Sequence, residues 1–150
     1  MFKRDREESW PETPWEMRLG FDLVQVSQVA DSITRFGDSY ENRIFTAGER
    51  EYANRGEAVR AERFAARLAA KEAVIKALKL SEAGIAWSDI EVFKLPDGDC
   101  EVHLHGRTAE LADGMGVMQM LLSLSHDGDY AGAFVSALFA QGSNHEGVAR

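Results

Sequence analysis

Two carboxylates and two lysines are the residues of this chain best suited to chemistry. Asp22 lies in the strand-like run Leu19-Gly20-Phe21-Asp22-Leu23-Val24. Glu72 lies in the helical run from Arg67 to Leu78, with Lys71 beside it and Lys76 one turn on. On a helical wheel Phe64, Leu68, Ile75 and Leu78 form an apolar stripe, with Lys71 near its centre and Glu72 on its edge. Charges beside a core-facing stripe must be paired, hydrated or liganded, because an unpaired buried charge is costly. A metal and a polyphosphate would supply partners; a loop-capping acid and a Glu72–Lys76 helical ion pair are the other reading of the same residues. Two hard oxygen ligands suit magnesium, which takes few carboxylates and keeps waters and substrate phosphates.

Ser125 and His126, in Ser123-Leu124-Ser125-His126 at a strand end, form a second group. Adjacent strand residues point to opposite faces and Gly-x-Ser-x-Gly is absent, so a serine-hydrolase arrangement is disfavoured and His126 suits an anion contact or a turn hydrogen bond. His103 and His105 share one strand face and read as exposed hairpin residues. Walker A and Gly-x-Gly-x-x-Gly motifs are absent, which disfavours nucleotide binding of those types.

The elements that must position these residues follow from periodicity. Met17, Leu19, Phe21 and Leu23 alternate with Arg18, Gly20, Asp22 and Val24, a strand with Asp22 opposite Phe21. Val29, Ile33 and Phe36 mark a short helix, and Thr46 with Glu49 has capping-box spacing for another through Tyr52. A long helix is expected over 61–80. Hairpins are predicted over 90–105, around Pro96-Asp97-Gly98-Asp99, and over 117–139, around His126-Asp127-Gly128-Asp129, with a short helix over 108–115 between them. The expected fold is α+β: a single small domain over 17–140, its antiparallel strands and hairpins packed on the long helix. Residues 1–16 read as a leader, in which Trp10 and Trp15 either pack on the domain or on a neighbouring subunit, or belong to a loose segment. Residues 141–150 read as a mobile tail.

Composition narrows the function. The chain has 150 residues, 45% hydrophobic and 28% charged, which suits one globular domain with a real core. A net charge of −8 argues against nucleic acid as the main partner. Apolar runs are too short for a membrane span and no secretory signal is recognisable, so a soluble cytoplasmic protein is expected. The single cysteine, Cys100, excludes an internal disulfide and reads as a strand residue. Residues 43–67 carry six arginines against four acids, a locally positive stretch that fits either an anionic small molecule or acidic protein, or a solvated helical face.

Taken in order, these segments resemble the holo-acyl-carrier-protein synthase family of 4'-phosphopantetheinyl transferases. The resemblance is carried by Gly20-Phe21-Asp22-Leu23-Val24, by Arg43-Ile44-Phe45-Thr46 with Glu49, and by Arg67-Leu68-Ala69-Ala70-Lys71-Glu72-Ala73 through Lys76-Ala77-Leu78. Trp87-Ser88-Asp89-Ile90-Glu91-Val92 and Ser123-Leu124-Ser125-His126 with Tyr130-Ala131 complete it. It implies transfer of the phosphopantetheine arm of coenzyme A to a serine of an apo acyl carrier protein, as lipid and fatty acid biosynthesis require, with release of adenosine 3',5'-bisphosphate. By the same resemblance Asp22 and Glu72 bind magnesium. Glu72, or a water, takes the serine proton, with Lys76 as the second catalytic residue; Arg67, Lys71, Lys76, Ser125 and His126 hold the coenzyme. A homotrimer with sites between subunits is implied as well. Gln25 and Gln28 stand where an acid and an arginine are usual, Lys79-Leu80-Ser81-Glu82-Ala83 replaces a glycine-rich turn, and Asp99-Cys100 replaces Lys-Pro. A catalytically idle module that binds coenzyme A or a carrier protein is the alternative these departures motivate.

Overall fold

The computed structural model describes residues 16–140, so the expectations for residues 1–15, Trp10 and Trp15 among them, and for the tail 141–150 lie outside the described residues. Three long strands, β1 (Glu16–Gln25), β4 (Val117–Asp127) and β5 (Tyr130–Phe139), form an antiparallel sheet in the order β1-β5-β4. Between β1 and β4 the chain runs through α1 (Val26–Phe36), α2 (Asp38–Ile44), α3 (Ala47–Asn54) and α4 (Arg60–Leu78). It then forms a separate hairpin of β2 (Ile90–Lys94) and β3 (Cys100–Leu104), followed by α5 (Gly106–Met115). The α+β architecture matches the sequence reading, and both hairpins fall where turn chemistry put them. In the second, Gly128 at φ +55° supplies the left-handed step that lets Asp127 pair with Tyr130.

Helix α4 lies across one face of the three-stranded sheet and is buried almost all round. Its core contribution differs from the predicted stripe. Phe64 and Leu78 are buried, but Leu68 and Ile75 are only partly so, and the positions fully excluded from water include Ala65, Ala69, Ala70 and Ala73. They meet small residues on the sheet, Ala131, Ala133 and Ala137, so helix and sheet approach closely and side-chain bulk is not needed to exclude water. One such contact is extreme: a Cβ built on Gly20 would lie 1.8 Å from the Ala73 carbonyl oxygen, so only glycine lets β1 pass α4 there.

That approach settles the sense of β1. Gly20, Asp22 and Val24 turn toward α4, while Met17, Leu19, Phe21 and Leu23 project away, each 55–60% exposed. With Leu121 and Phe134 they make an apolar outer face on the sheet.

Of the remaining helices, α1 and α3 pack on α4. The capping box at α3 is present: the Thr46 hydroxyl accepts from the Glu49 amide, and Glu49 Oε1 accepts from the Thr46 amide at 2.9 Å. Helix α2 has no counterpart in the sequence reading. Gly37 at φ +52° ends α1 and restarts the helix, and Phe36, just before the break, is 57% exposed. Helix α4 ends in a Schellman turn, Leu80 N–H donating to Ile75 O at 2.9 Å, with Lys79 in the left-handed conformation where a glycine is the cheaper residue.

Because the β1–α4 distance is fixed by a missing side chain, Gly20→Ala should be among the most damaging single-methyl additions in the protein. A loss of about 3 kcal/mol or more is expected in urea unfolding; a change below about 0.5 kcal/mol, the level of an ordinary surface substitution, would show that helix and strand separate freely.

Candidate active site

The close packing of β1 on α4 brings the two sequence-distant acids together. Lys76 Nζ donates to Asp22 Oδ1 at 2.8 Å and to the Phe21 carbonyl at 3.0 Å, so the lysine pairs with the strand acid rather than with Glu72 one turn back on its own helix. This hydrogen bond, with the charge of both acids, holds the Lys76 pKa above its ordinary value. Glu72 is half-buried beside them. Its pKa is raised, first by burial and then by the negative charge of Asp22, and the nearby Lys76 offsets this only in part. Two carboxylates against one exposed ammonium form a site short of positive charge.

Magnesium fits this donor set. Among the described residues no cluster of three or more His, Cys, Asp or Glu side chains occurs, so Asp22 and Glu72 would be the protein's whole contribution to a hard cation that completes its shell with water and phosphate. A divalent ion there would remove the repulsion that raises Glu72.

Lys71 has a different place from that expected. It is fully buried, and its ammonium donates to Glu49 Oε1 at 2.7 Å, to Trp87 O at 3.2 Å and to Ile90 O. Three acceptors use all three of its protons. Glu49 in turn accepts from the Val92 amide at 3.0 Å, so one carboxylate ties α3, α4 and β2 together. Burial lowers the Lys71 pKa and Glu49 opposes that shift. The expected phosphate contact of Lys71 is therefore replaced by a structural ion pair, whose rupture would leave an uncompensated buried charge at a cost of about 3–5 kcal/mol. The sequence signal for this was the capping box itself, which marked Glu49 but not its second partner.

Arg67, Ser125 and His126 gather elsewhere. They line a cavity of about 430 Å³ with Tyr52, Arg63, Lys94 and Cys100, and none of Asp22, Glu72 and Lys76 borders it. Arg67 and Glu72 are five residues apart on α4, about 140° around its axis. The Arg67 guanidinium, 3% exposed, stacks 4.2 Å above the Tyr52 ring and donates to the Arg63 carbonyl. Arg63 lies 4.4 Å and Lys94 5.9 Å from the same ring, a cation cluster that sequence reasoning saw only as excess arginine. Ser125 and His126 do point to opposite faces: Ser125 pairs with Gly132, opposite Leu23 on the outer face, whereas His126 pairs with Ala131 and its Nδ1 lies 3.4 Å from Glu62 Oε2. His103 and His105 bind Glu101 and Glu91 on the other hairpin and take no part.

The family model of the 4'-phosphopantetheinyl transferase superfamily matches residues 18–135, nearly the whole described chain. The chain belongs to that superfamily. Among curated proteins, the holo-[acyl-carrier-protein] synthase of Gloeobacter violaceus is 40% identical over 121 residues, covering 81% of this chain and 92% of that protein. The enzyme of the same name from Koribacter versatilis is 44% identical over 117 residues, covering 77% and 93%. Among solved structures, the Chronobacterium ammoniagenes ACPS–CoA complex superposes with a TM-score of 0.74 at 34% identity, covering 84% of this chain and 98% of that one. The fold expected from the sequence is thus that of this transferase superfamily.

The raised pKa of Glu72 has a testable sign. A carboxyl that binds its proton more tightly when folded lowers stability as pH rises through the ordinary value of 4.5 and up to the folded value. In metal-free buffer, Glu72→Gln should therefore be more stable than the parent at pH 8, with the gap closing below about pH 4, where the unfolded carboxyl is protonated too. Equal unfolding midpoints at pH 8 would mean that neither burial nor Asp22 opposes ionisation of Glu72 in the folded chain.

Proposed function

We propose that this transferase moves the 4'-phosphopantetheine group of coenzyme A to a serine of an apo acyl carrier protein, in a magnesium-dependent reaction that releases adenosine 3',5'-bisphosphate in the cytoplasm. The observation that carries the reading is the convergence of Asp22 and Glu72, from a strand and a helix, on an exposed lysine. The relatives' names supply the acceptor, and the coenzyme A complex of a structural neighbour supplies the donor.

Asp22 and Glu72 would hold the magnesium ion. Bound there, it would neutralise charge developing on the diphosphate oxygens. Lys76, kept protonated by Asp22, offers its remaining donor capacity to phosphate. Glu72, or a water beside it, accepts the proton of the carrier serine as that oxygen attacks phosphorus and the bond to adenosine 3',5'-bisphosphate breaks. Arg67, Ser125 and His126 hold the coenzyme through its anionic groups.

These two groups of residues border different surfaces of one chain, which supports an active homotrimer with sites between subunits. The apolar outer face supports the same assembly: Met17, Leu19, Phe21, Leu23, Leu121 and Phe134 are 43–60% exposed on a single sheet, a grouping of the kind that marks an interaction surface.

The reading of an idle binding module is motivated by Gln28, exposed on α1 in place of the usual arginine. Mass spectrometry of apo carrier proteins incubated with the chain, coenzyme A and magnesium separates the two. A phosphopantetheine mass gain is expected, slowed about 10²-fold or more in Asp22→Ala and Glu72→Ala; coenzyme A binding with no gain on any carrier would favour the module.

Shared sites have their own signature. Sedimentation should give a trimer, and co-refolding inactive Glu72→Ala with inactive His126→Ala should restore transfer, because some interfaces then join an intact half from each. A monomer that is fully active would sink the shared site.

A further inference from the structure

We propose that Cys100 is a thiol–disulfide exchange site that admits small anionic disulfides into the cavity lined by Arg63, Arg67 and Lys94, so that its modification and occupation of the cavity by coenzyme A exclude one another. The second half of this inference rests on the coenzyme-binding reading above.

Cys100 is the only cysteine of the chain, a free and partly buried thiol at the start of β3. In the β2–β3 register it stands directly opposite Lys94, so the two side chains share a face, and both line the 430 Å³ cavity. A lone thiol at a strand end is ordinary. What distinguishes this one is its neighbour Arg67, which lines the same cavity. At 3% exposure its Nε–H has no hydrogen-bond partner among the described residues. A desolvated guanidinium with an unused donor calls for an acceptor, and the cavity supplies no protein atom that serves.

The charge around the thiol points to the kind of reagent. Arg63, Arg67 and Lys94 crowd the Tyr52 ring on this cavity, against Glu62 and Asp99 on its border, and Glu62 already faces His126. Burial lowers the Arg67 pKa, and Arg67 and Cys100 line the same cavity. Grouped cations at the mouth concentrate anionic reagents near the thiol.

The chemistry balances without a further oxidant. Cys100 gives its proton to solvent, the thiolate sulfur attacks one sulfur of the disulfide, a new S–S bond forms and the old one breaks. The departing thiolate carries away the electron pair: the cysteine is oxidised and one half of the reagent reduced. The anionic arm left on Cys100 then occupies the cavity beside Arg67.

The test compares two probes on the full chain after reductant removal: dianionic 5,5'-dithiobis(2-nitrobenzoate) and neutral 4,4'-dithiodipyridine, each followed by release of its chromophoric thiol. Normalised to the urea-unfolded chain, the folded protein should favour the anionic probe about tenfold at low salt. High salt and Lys94→Gln should both erode that preference, and saturating adenosine 3',5'-bisphosphate should slow both probes about tenfold or more through occupation of the cavity. Selectivity equal to that of the unfolded chain would overturn the inference. Calorimetry on the unlabelled chain distinguishes the remaining failures. Bisphosphate that binds without protecting Cys100 overturns this inference alone, whereas no binding of bisphosphate or coenzyme A overturns the functional reading and the exclusion with it.

Discussion

The distance between β1 and α4 is the constraint on which the rest of the structure depends. Glycine at position 20 and a run of alanines on the helix let a backbone carbonyl and a strand touch with nothing between them. Two residues along the same face, Asp22 then lies within hydrogen-bonding reach of Lys76, and its charge is felt by Glu72. Larger side chains would build an equally apolar core, but they would hold the acids apart. Small residues here are therefore a matter of site geometry as much as of packing.

The same helix separates a structural charge from a candidate site charge within two consecutive residues. Lys71 turns inward and is consumed by Glu49 and two carbonyls, fixing α4 to α3 and β2. Glu72 turns toward β1, where Asp22 makes its ionisation harder. A buried ion pair with all donors satisfied holds the helix in register, and the neighbouring carboxylate is then presented without rotational freedom of the helix as a whole. The cost is electrostatic: a carboxylate kept beside another is a local instability that a bound cation relieves.

The sheet carries a different sort of incompleteness. Its inner face is saturated by α4, while its outer face keeps large apolar side chains in water on β1 and β5. Asp22, Glu72 and Lys76 belong to one surface of the chain, and Arg67, Ser125 and His126 to another. These two observations, separated groups of candidate residues and an exposed apolar face, are what the proposed shared-site assembly rests on.

Much of this was legible in the chain. Period-two alternation marked β1, turn residues marked both hairpins, Thr46 and Glu49 marked the start of α3, and the motif around Glu72 marked the family. Residues whose meaning depends on what lies across from them were not legible. Alternation told which side chains of β1 share a face but not which face meets the helix, because that is decided by Gly20 against Ala73. The helical wheel placed Lys71 in the core but not its partner, since Glu49 is distant in sequence and reaches it only when α3 packs. The arginine-rich stretch showed local charge but not that Arg63 and Arg67 converge on Tyr52 with Lys94, a residue from another element. The sequence by itself determined the elements other than α2, the family and the identity of the candidate chemical groups, because periodicity and motif are local. Only the tertiary structure decided which acid meets which lysine and which lysine is withdrawn from chemistry, because burial and pairing are properties of surfaces brought together.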